Sequence, residues 1–259
     1  MIYLLCIPIL LIVLWWLGAR APNRPFGGNS NPALVSMSGE LLLKVKKAEE
    51  TRDAEGRLQQ IKFEDLLNGL QSDDERKAFW INIYNAWFQI LAARDKKAKP
   101  AIFREKLIPI AGQRFSLDDI EHGILRKYRL KLALGYLPMF YPASLIKRLS
   151  VSAIDFRIHF ALNCGAVSCP PIAFYTADAI QQQLELATDS FITTDITIDE
   201  EEKIISISKL MLWFRGDFGG CKGIRKMLTK YLQKDLTIYT IRYKDYHWDS
   251  KLNNFSDQS

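Results

Sequence analysis

Between Asp155 and Pro171 the chain gathers an acid, a guanidinium, an imidazole, an amide and two thiols. Phe156, Ile158, Phe160 and Leu162 share one parity, and Asp155, Arg157, His159 and Asn163 share the other. At a period of two this gives an apolar face backed by a polar row, so Phe156 to Asn163 reads as a strand. The wet side of an antiparallel strand would carry the same polar row without any chemistry. Asn163-Cys164-Gly165-Ala166-Val167-Ser168-Cys169-Pro170-Pro171 follows. Gly165 permits a sharp turn there, and the proline pair ends the loop.

A thiol beside an imidazole can serve as a nucleophile, with the histidine as base and an acid or amide orienting the ring. Cys164 or Cys169 would be that nucleophile and His159 the base, oriented by Asp155 or Asn163. Spacing restricts the simplest version. Five extended residues separate the Cα atoms of His159 and Cys164 by roughly 16 Å, and Cys164 has the parity of the apolar face. Either the chain breaks at Asn163, or the loop doubles back and returns Cys169 to His159. Three other readings stay open. Cys164 is a small buried hydrophobe, Cys164 and Cys169 form a disulfide, or His159, Cys164 and Cys169 hold a metal. The last lacks a paired Cys-x-x-Cys or a second histidine cluster, so neither metal nor cofactor is expected.

Two helices are placed to support this segment. Ser72 and Glu75 form a capping box for a helix reaching about Ala93. From Ala78 onward that helix has no charged residue, as expected for one buried nearly all round. Trp80, Ile83, Tyr84, Trp87 and Leu91 make its apolar stripe. Asn82, Asn85 and Gln89 make an amide row, which needs partners and is suited to pinning the Asn163–Pro171 loop. The second helix, Ser116 to Tyr128, sets Glu121 beside Leu117, Ile120 and Ile124, with His122 and Arg126 one turn apart. A carboxylate at the edge of an apolar stripe calls for a buried cation, and Arg157 is the expected partner.

Elsewhere the patterns predict a turn and short helix from Pro138 to Leu149, and a helix from Thr176 through Phe191 with Leu184 and Ala187 inward. Thr194 to Ser208 reads as a β-hairpin turning at Asp199–Glu202, followed by a helix from Cys221 to Leu232 and a strand from Leu236 to Arg242.

The first nineteen residues carry no charged side chain. As a helix they would span roughly 28 Å, close to the hydrocarbon thickness of a bilayer, with Trp15 and Trp16 near one interface. A cleaved signal peptide is the competing reading, since Ala19-Arg20-Ala21 resembles a small-x-small site. The basic n-region is absent, however, and Pro22 follows at once. Arg20 and Arg24 lean the body towards the cytoplasm. Residues 20–33 read as a linker and 34–259 as a single globular domain. The 259 residues are 48% apolar, enough for a real core, and the net charge of +6 is spread along the chain. No nucleic-acid motif accompanies it, so no nucleic acid is expected as a partner. The expected fold is α+β: a mostly helical globular domain packed on a small antiparallel sheet, with an N-terminal transmembrane helix and the lipid bilayer as partner through residues 1–19.

Phe79-Trp80-Ile81-Asn82-Ile83-Tyr84-Asn85-Ala86, Ser116 to Arg126, and Asp155 to Pro170 resemble the signature blocks of domain-of-unknown-function family 547. So do Leu210 to Phe218 and Tyr246-His247-Trp248. The blocks run in order across roughly Phe63 to Asn253, and Phe156 stands where the family pattern has proline. The resemblance implies a shared fold and, for many members, a bacterial envelope or membrane setting, which opposes the cytoplasmic lean and leaves the side of the membrane open. It implies no reaction. Two functions of different class follow: a thiol-dependent hydrolase or transferase using a Cys/His pair, or a non-enzymatic binding or scaffold module at the membrane surface.

Overall fold

The computed structural model describes residues 29–256. The expected anchor, residues 1–19, lies outside them, as does most of the linker. Among the described residues no helix is long and apolar enough to cross a membrane.

Helices α1 (Pro32–Lys46), α2 (Arg52–Gln60) and α3 (Phe63–Gly69) lead to α4 (Asp73–Gln89). Asn31 caps α1 by accepting from the Ala33 N–H, and Pro32 occupies the first turn, where a missing N–H costs nothing. The capping box on α4 is complete: Ser72 accepts from the Glu75 N–H, and Glu75 reaches back to the N–H of Ser72. From Ala78 to Gln89 every residue of α4 is buried, so α4 is the central rod of the fold. At Ile90 it widens into one π turn ending at Arg94.

After α5 (Ala101–Arg104), strands β1 (Ile108–Ile110) and β2 (Gln113–Phe115) form an antiparallel hairpin. Its two turn residues, Ala111 and Gly112, both have positive φ, which matches the twist of the flanking strands. The helix expected from Ser116 is a π-helix over Asp119–Leu125. Its entry is fixed by Ser116 and Asp119, whose side chains each accept from the other's backbone N–H at 3.0 Å. α6 (Ser144–Leu149) is the expected short helix.

The segment read as a strand is a 3₁₀ helix, Phe156–Phe160, capped by the Asp155 carboxylate accepting from the Arg157 N–H at 3.1 Å. From Ile158 to Asn163 each residue is buried, so neither parity faces water and the alternation has no wet side to mark. Ile158 packs into the core around α4, while Phe160 packs into a second core beneath the sheet. His159 therefore sits at the seam of the two.

α7 runs Ile180–Asp195, later than expected at both ends, because residues 177–179 form a turn first. Leu184 is buried as expected, and Thr188 takes the inward place assigned to Ala187. The hairpin is present as β3 (Thr197–Asp199) and β4 (Ile204–Ile207). After α8 (Leu210–Trp213) and α9 (Gly220–Leu232), β5 (Thr240–Tyr243) joins β4 in parallel. The sheet is thus mixed, not antiparallel. The helices between β4 and β5 supply the crossover that a parallel pair requires.

Candidate functional site

A cavity of about 370 Å³ opens at the seam. Tyr84 of α4 and Asp118, Glu121 and His122 of the π-helical region form one side, and His159, Leu162, Cys164 and Cys169 another. Trp213 and Phe214 at the end of α8, with Tyr246 and Trp248 of the carboxy-terminal segment, complete the walls. Most of these walls are apolar.

Beneath them lies a buried ionic cluster. Arg126 is 0% exposed. Its Nε donates to Asp217 Oδ2 at 2.5 Å and its Nη2 to Oδ1 at 3.3 Å, a two-pronged grip suited to a planar guanidinium. Its Nη1 lies 2.7 Å from His122 Nδ1. A guanidinium only donates, so Nδ1 accepts and the His122 proton sits on Nε2. His159 Nε2 lies 2.9 Å from Asp217 Oδ2. An ionised Asp217 only accepts, so Nε2 carries the proton and Nδ1 keeps its lone pair. Phe214 covers the cluster, stacked on the His159 ring at 4.0 Å between centroids and lying under the Arg126 guanidinium at 4.5 Å.

Burial depresses the pKa of both histidines, and for His159 the bond to Asp217 opposes this without reversing it. Both rings are neutral near pH 7. Burial works against ionisation of Glu121, while the Arg126 guanidinium and the Tyr84 hydroxyl, donating to Oε2 at 3.0 Å, favour it. Asp217 is likewise held below the ordinary carboxylate range: burial raises it, and the bonds from His159 and Arg126 prevail. Burial and Glu121 push the Tyr84 phenol upward, so it remains a donor.

Cys164 and Cys169 are joined by a disulfide, with Cα atoms 6.2 Å apart. The loop doubles back and brings Cys169 to Cys164, which is the disulfide alternative, while His159 takes Asp217. Gly165 makes the turn at φ +68°, and a Cβ there would meet the Phe88 ring at 2.4 Å. The Cys164 N–H donates to Cys169 Sγ at 3.1 Å, and the Tyr246 hydroxyl lies 3.2 Å from Cys169 Sγ and 3.6 Å from Cys164 Sγ. Among the described residues the free cysteine is Cys221, which is exposed.

The orienting groups expected for His159 are elsewhere. Asp155 is clasped by Arg157, Nε to Oδ1 at 2.9 Å and Nη2 to Oδ2 at 2.7 Å, and takes Lys77 Nζ at 3.2 Å. Asn163 closes the cysteine loop, donating to the Pro170 carbonyl at 2.7 Å and accepting from the Gly165 N–H at 2.8 Å. Arg157 does not reach Glu121. Its own acid two residues earlier holds it, with Glu185 at 3.5 Å. The cation that acts on Glu121 is Arg126.

Neither residue type nor spacing singles out Asp217, although it lies inside one of the family-like blocks. The local signal is its glycine-rich setting, Gly216-Asp217-Phe218-Gly219-Gly220. Gly135, at φ +81°, packs so closely on Asp217 that a Cβ would fall 2.4 Å from Oδ1, which seats the 129–138 loop against the cluster.

The amide row holds the cysteine loop and its continuation. Asn85 donates to the Ala161 carbonyl and accepts from the Asn163 N–H, both at 2.9 Å. Asn82 donates to the Tyr175 carbonyl at 2.8 Å and accepts from the Tyr175 N–H at 3.0 Å. Gln89 accepts from the Asn253 N–H at 2.9 Å. Asn82→Ala and Asn85→Ala are each expected to destabilise the domain by about 1–3 kcal/mol, because each strands two buried backbone groups. Urea melts followed by circular dichroism measure this, and wild-type midpoints would show the amides to be solvated.

Residues 67–192 match the family model described as Protein of unknown function, DUF547. No curated protein matches the chain, and no solved structure does. Asp217, Phe214 and Tyr246 fall beyond the matched stretch, so the carboxy-terminal part of this chain completes the cavity.

Proposed function

We propose, since this chain carries a domain of the DUF547 family, that it is a binding module whose cavity takes a mostly apolar molecule bearing one hydrogen-bond donor. The observation that carries this is the Glu121 carboxylate, which lines an apolar-walled cavity with Oε2 accepting from the Tyr84 hydroxyl at 3.0 Å. A hydroxyl or amide N–H on the ligand would find a charged acceptor there, and the apolar walls would take the rest. The closed Cys164–Cys169 bridge fits a wall more readily than a resting nucleophile. Residues 1–19, an uncharged apolar run, would hold such a module at a bilayer.

The test compares 1-decanol with decyl methyl ether as competitors of Nile red. Decanol is expected to bind about tenfold or more tightly, the worth of a hydrogen bond to a charged group. Glu121→Gln should shrink that ratio while leaving the ether unchanged. Equal affinity for both compounds in the wild-type protein would overturn the reading.

A second reading rests on a separate observation: both sulfurs and His159 line the same cavity, and Asp217 leaves His159 Nδ1 unprotonated. A dithiol reductant would open the bridge, becoming a disulfide itself and leaving two thiols, one of which His159 could deprotonate. In protein reduced with dithiothreitol, Cys164 or Cys169 should then react with iodoacetamide at neutral pH faster than exposed Cys221, and His159→Ala should remove the difference. Rates at or below that of Cys221 would leave the binding reading alone.

A further inference from the structure

The cavity mouth is unusual in what it exposes. Leu132 is 95% exposed and Trp248 53% exposed, and both line the cavity. Of the ten large hydrophobic side chains exposed among the described residues, five lie between Leu132 and Tyr141. Exposed apolar surface is therefore concentrated on the segment that supplies Leu132 and Leu134 to the cavity instead of scattered, and concentration of that kind marks a contact surface.

Charge gathers at the same mouth. Lys99 Nζ stands 5.0 Å over the Trp248 ring, and Lys131 Nζ 5.5 Å over the ring of Phe103, another cavity residue. These contacts bring the segment Lys96–Lys106 to the rim, with five cations and one acid. Lys97 is paired with Glu105, Lys106 with Asp119, and Lys131 with Asp118. Among the described residues no carboxylate pairs with Lys96, Lys99 or Arg104, and all three are exposed.

We infer that this rim docks on an anionic bilayer, with Leu132 and Trp248 entering the interface and Lys96, Lys99 and Arg104 facing the headgroups. Cations beside exposed apolar side chains are what a headgroup layer over hydrocarbon accepts, and an indole ring favours that depth. Docked so, the cavity opens directly onto the lipid, and its ligand is an amphiphile drawn from the bilayer. This last step rests on the binding role proposed for the cavity.

The experiment uses the full chain reconstituted into vesicles of phosphatidylcholine alone or of an equal mixture with phosphatidylglycerol. A nitrobenzoxadiazole dye is placed at Leu132→Cys in a Cys6→Ser/Cys221→Ser background, with Leu186→Cys on α7 as the exposed control. The dye at position 132 is expected to shift to the blue and to be quenched by chain-labelled lipid, more strongly in the mixed vesicles, while the dye at 186 is not. The triple variant Lys96→Glu/Lys99→Glu/Arg104→Glu should abolish the difference between the two lipids. A dye at 132 as wet as that at 186 in both vesicles would overturn docking, and insertion indifferent to phosphatidylglycerol would overturn the anionic partner. The decanol competition, run without vesicles or detergent, reports the cavity alone. Failed docking with decanol binding intact would sink this inference and spare the binding module.

Discussion

Arg126→Ala is expected to destabilise the domain by about 3–5 kcal/mol, the usual cost of removing one partner from a buried ion pair. Arg126 has no exposure, grips Asp217 with two nitrogens and fixes the tautomer of His122. Without it, Asp217 keeps a single side-chain partner, His159, and Glu121 loses the cation that offsets its burial. Against a total stability of about 5–15 kcal/mol this is a large loss. Arg126→Lys retains the charge but not the fork, and should recover only part of it. The double variant Arg126→Met/Asp217→Leu should cost less than the sum of its single changes, because neither charge of the Arg126–Asp217 pair is then left buried without the other. Urea melts of the four proteins measure the coupling. A loss below about 1 kcal/mol for Arg126→Ala would place the cluster in contact with solvent.

How far the residues announced this site depends on how local each signal is. The capping box at Ser72 and Glu75, the charge-free run of α4 and the β3–β4 hairpin are written in contiguous residues, and each appears in the structure. The amide row is also local, and its demand for partners pointed to the loop that Asn85 holds. His159 and Asp217 are 58 positions apart and Arg126 and Asp217 are 91 apart, so nothing in either neighbourhood fixes the pairing. Charge alone points Arg157 towards Glu121, but Asp155, two residues away, holds it at far smaller entropic cost. The strand expected at Phe156–Asn163 failed for a different reason. Alternation distinguishes faces only when one of them is wet, and this segment is enclosed between two cores.

The same enclosure sets the response to acid. His122 and His159 have folded pKa values depressed by burial, while in the unfolded chain each imidazole titrates at about 6.5. As pH falls below that value, the unfolded chain binds protons that the folded protein refuses, so stability drops. Each histidine contributes a slope of up to about 1.4 kcal/mol per pH unit, about 2.7 for the two together. Glu121 and Asp217 do not contribute in this window. Their folded values are also depressed, so the stability they confer is present above the ordinary carboxylate range and lost only at lower pH. Denaturant melts at intervals from pH 7 downward should therefore show stability beginning to fall at about pH 6.5, before any carboxylate titrates. In His159→Gln the slope should fall by about half, since one imidazole remains. A flat profile until the carboxylates protonate would mean that the folded protein accepts protons on both rings. His122 could then no longer be the neutral acceptor of the Arg126 bond, and the tautomer assigned to it would be wrong.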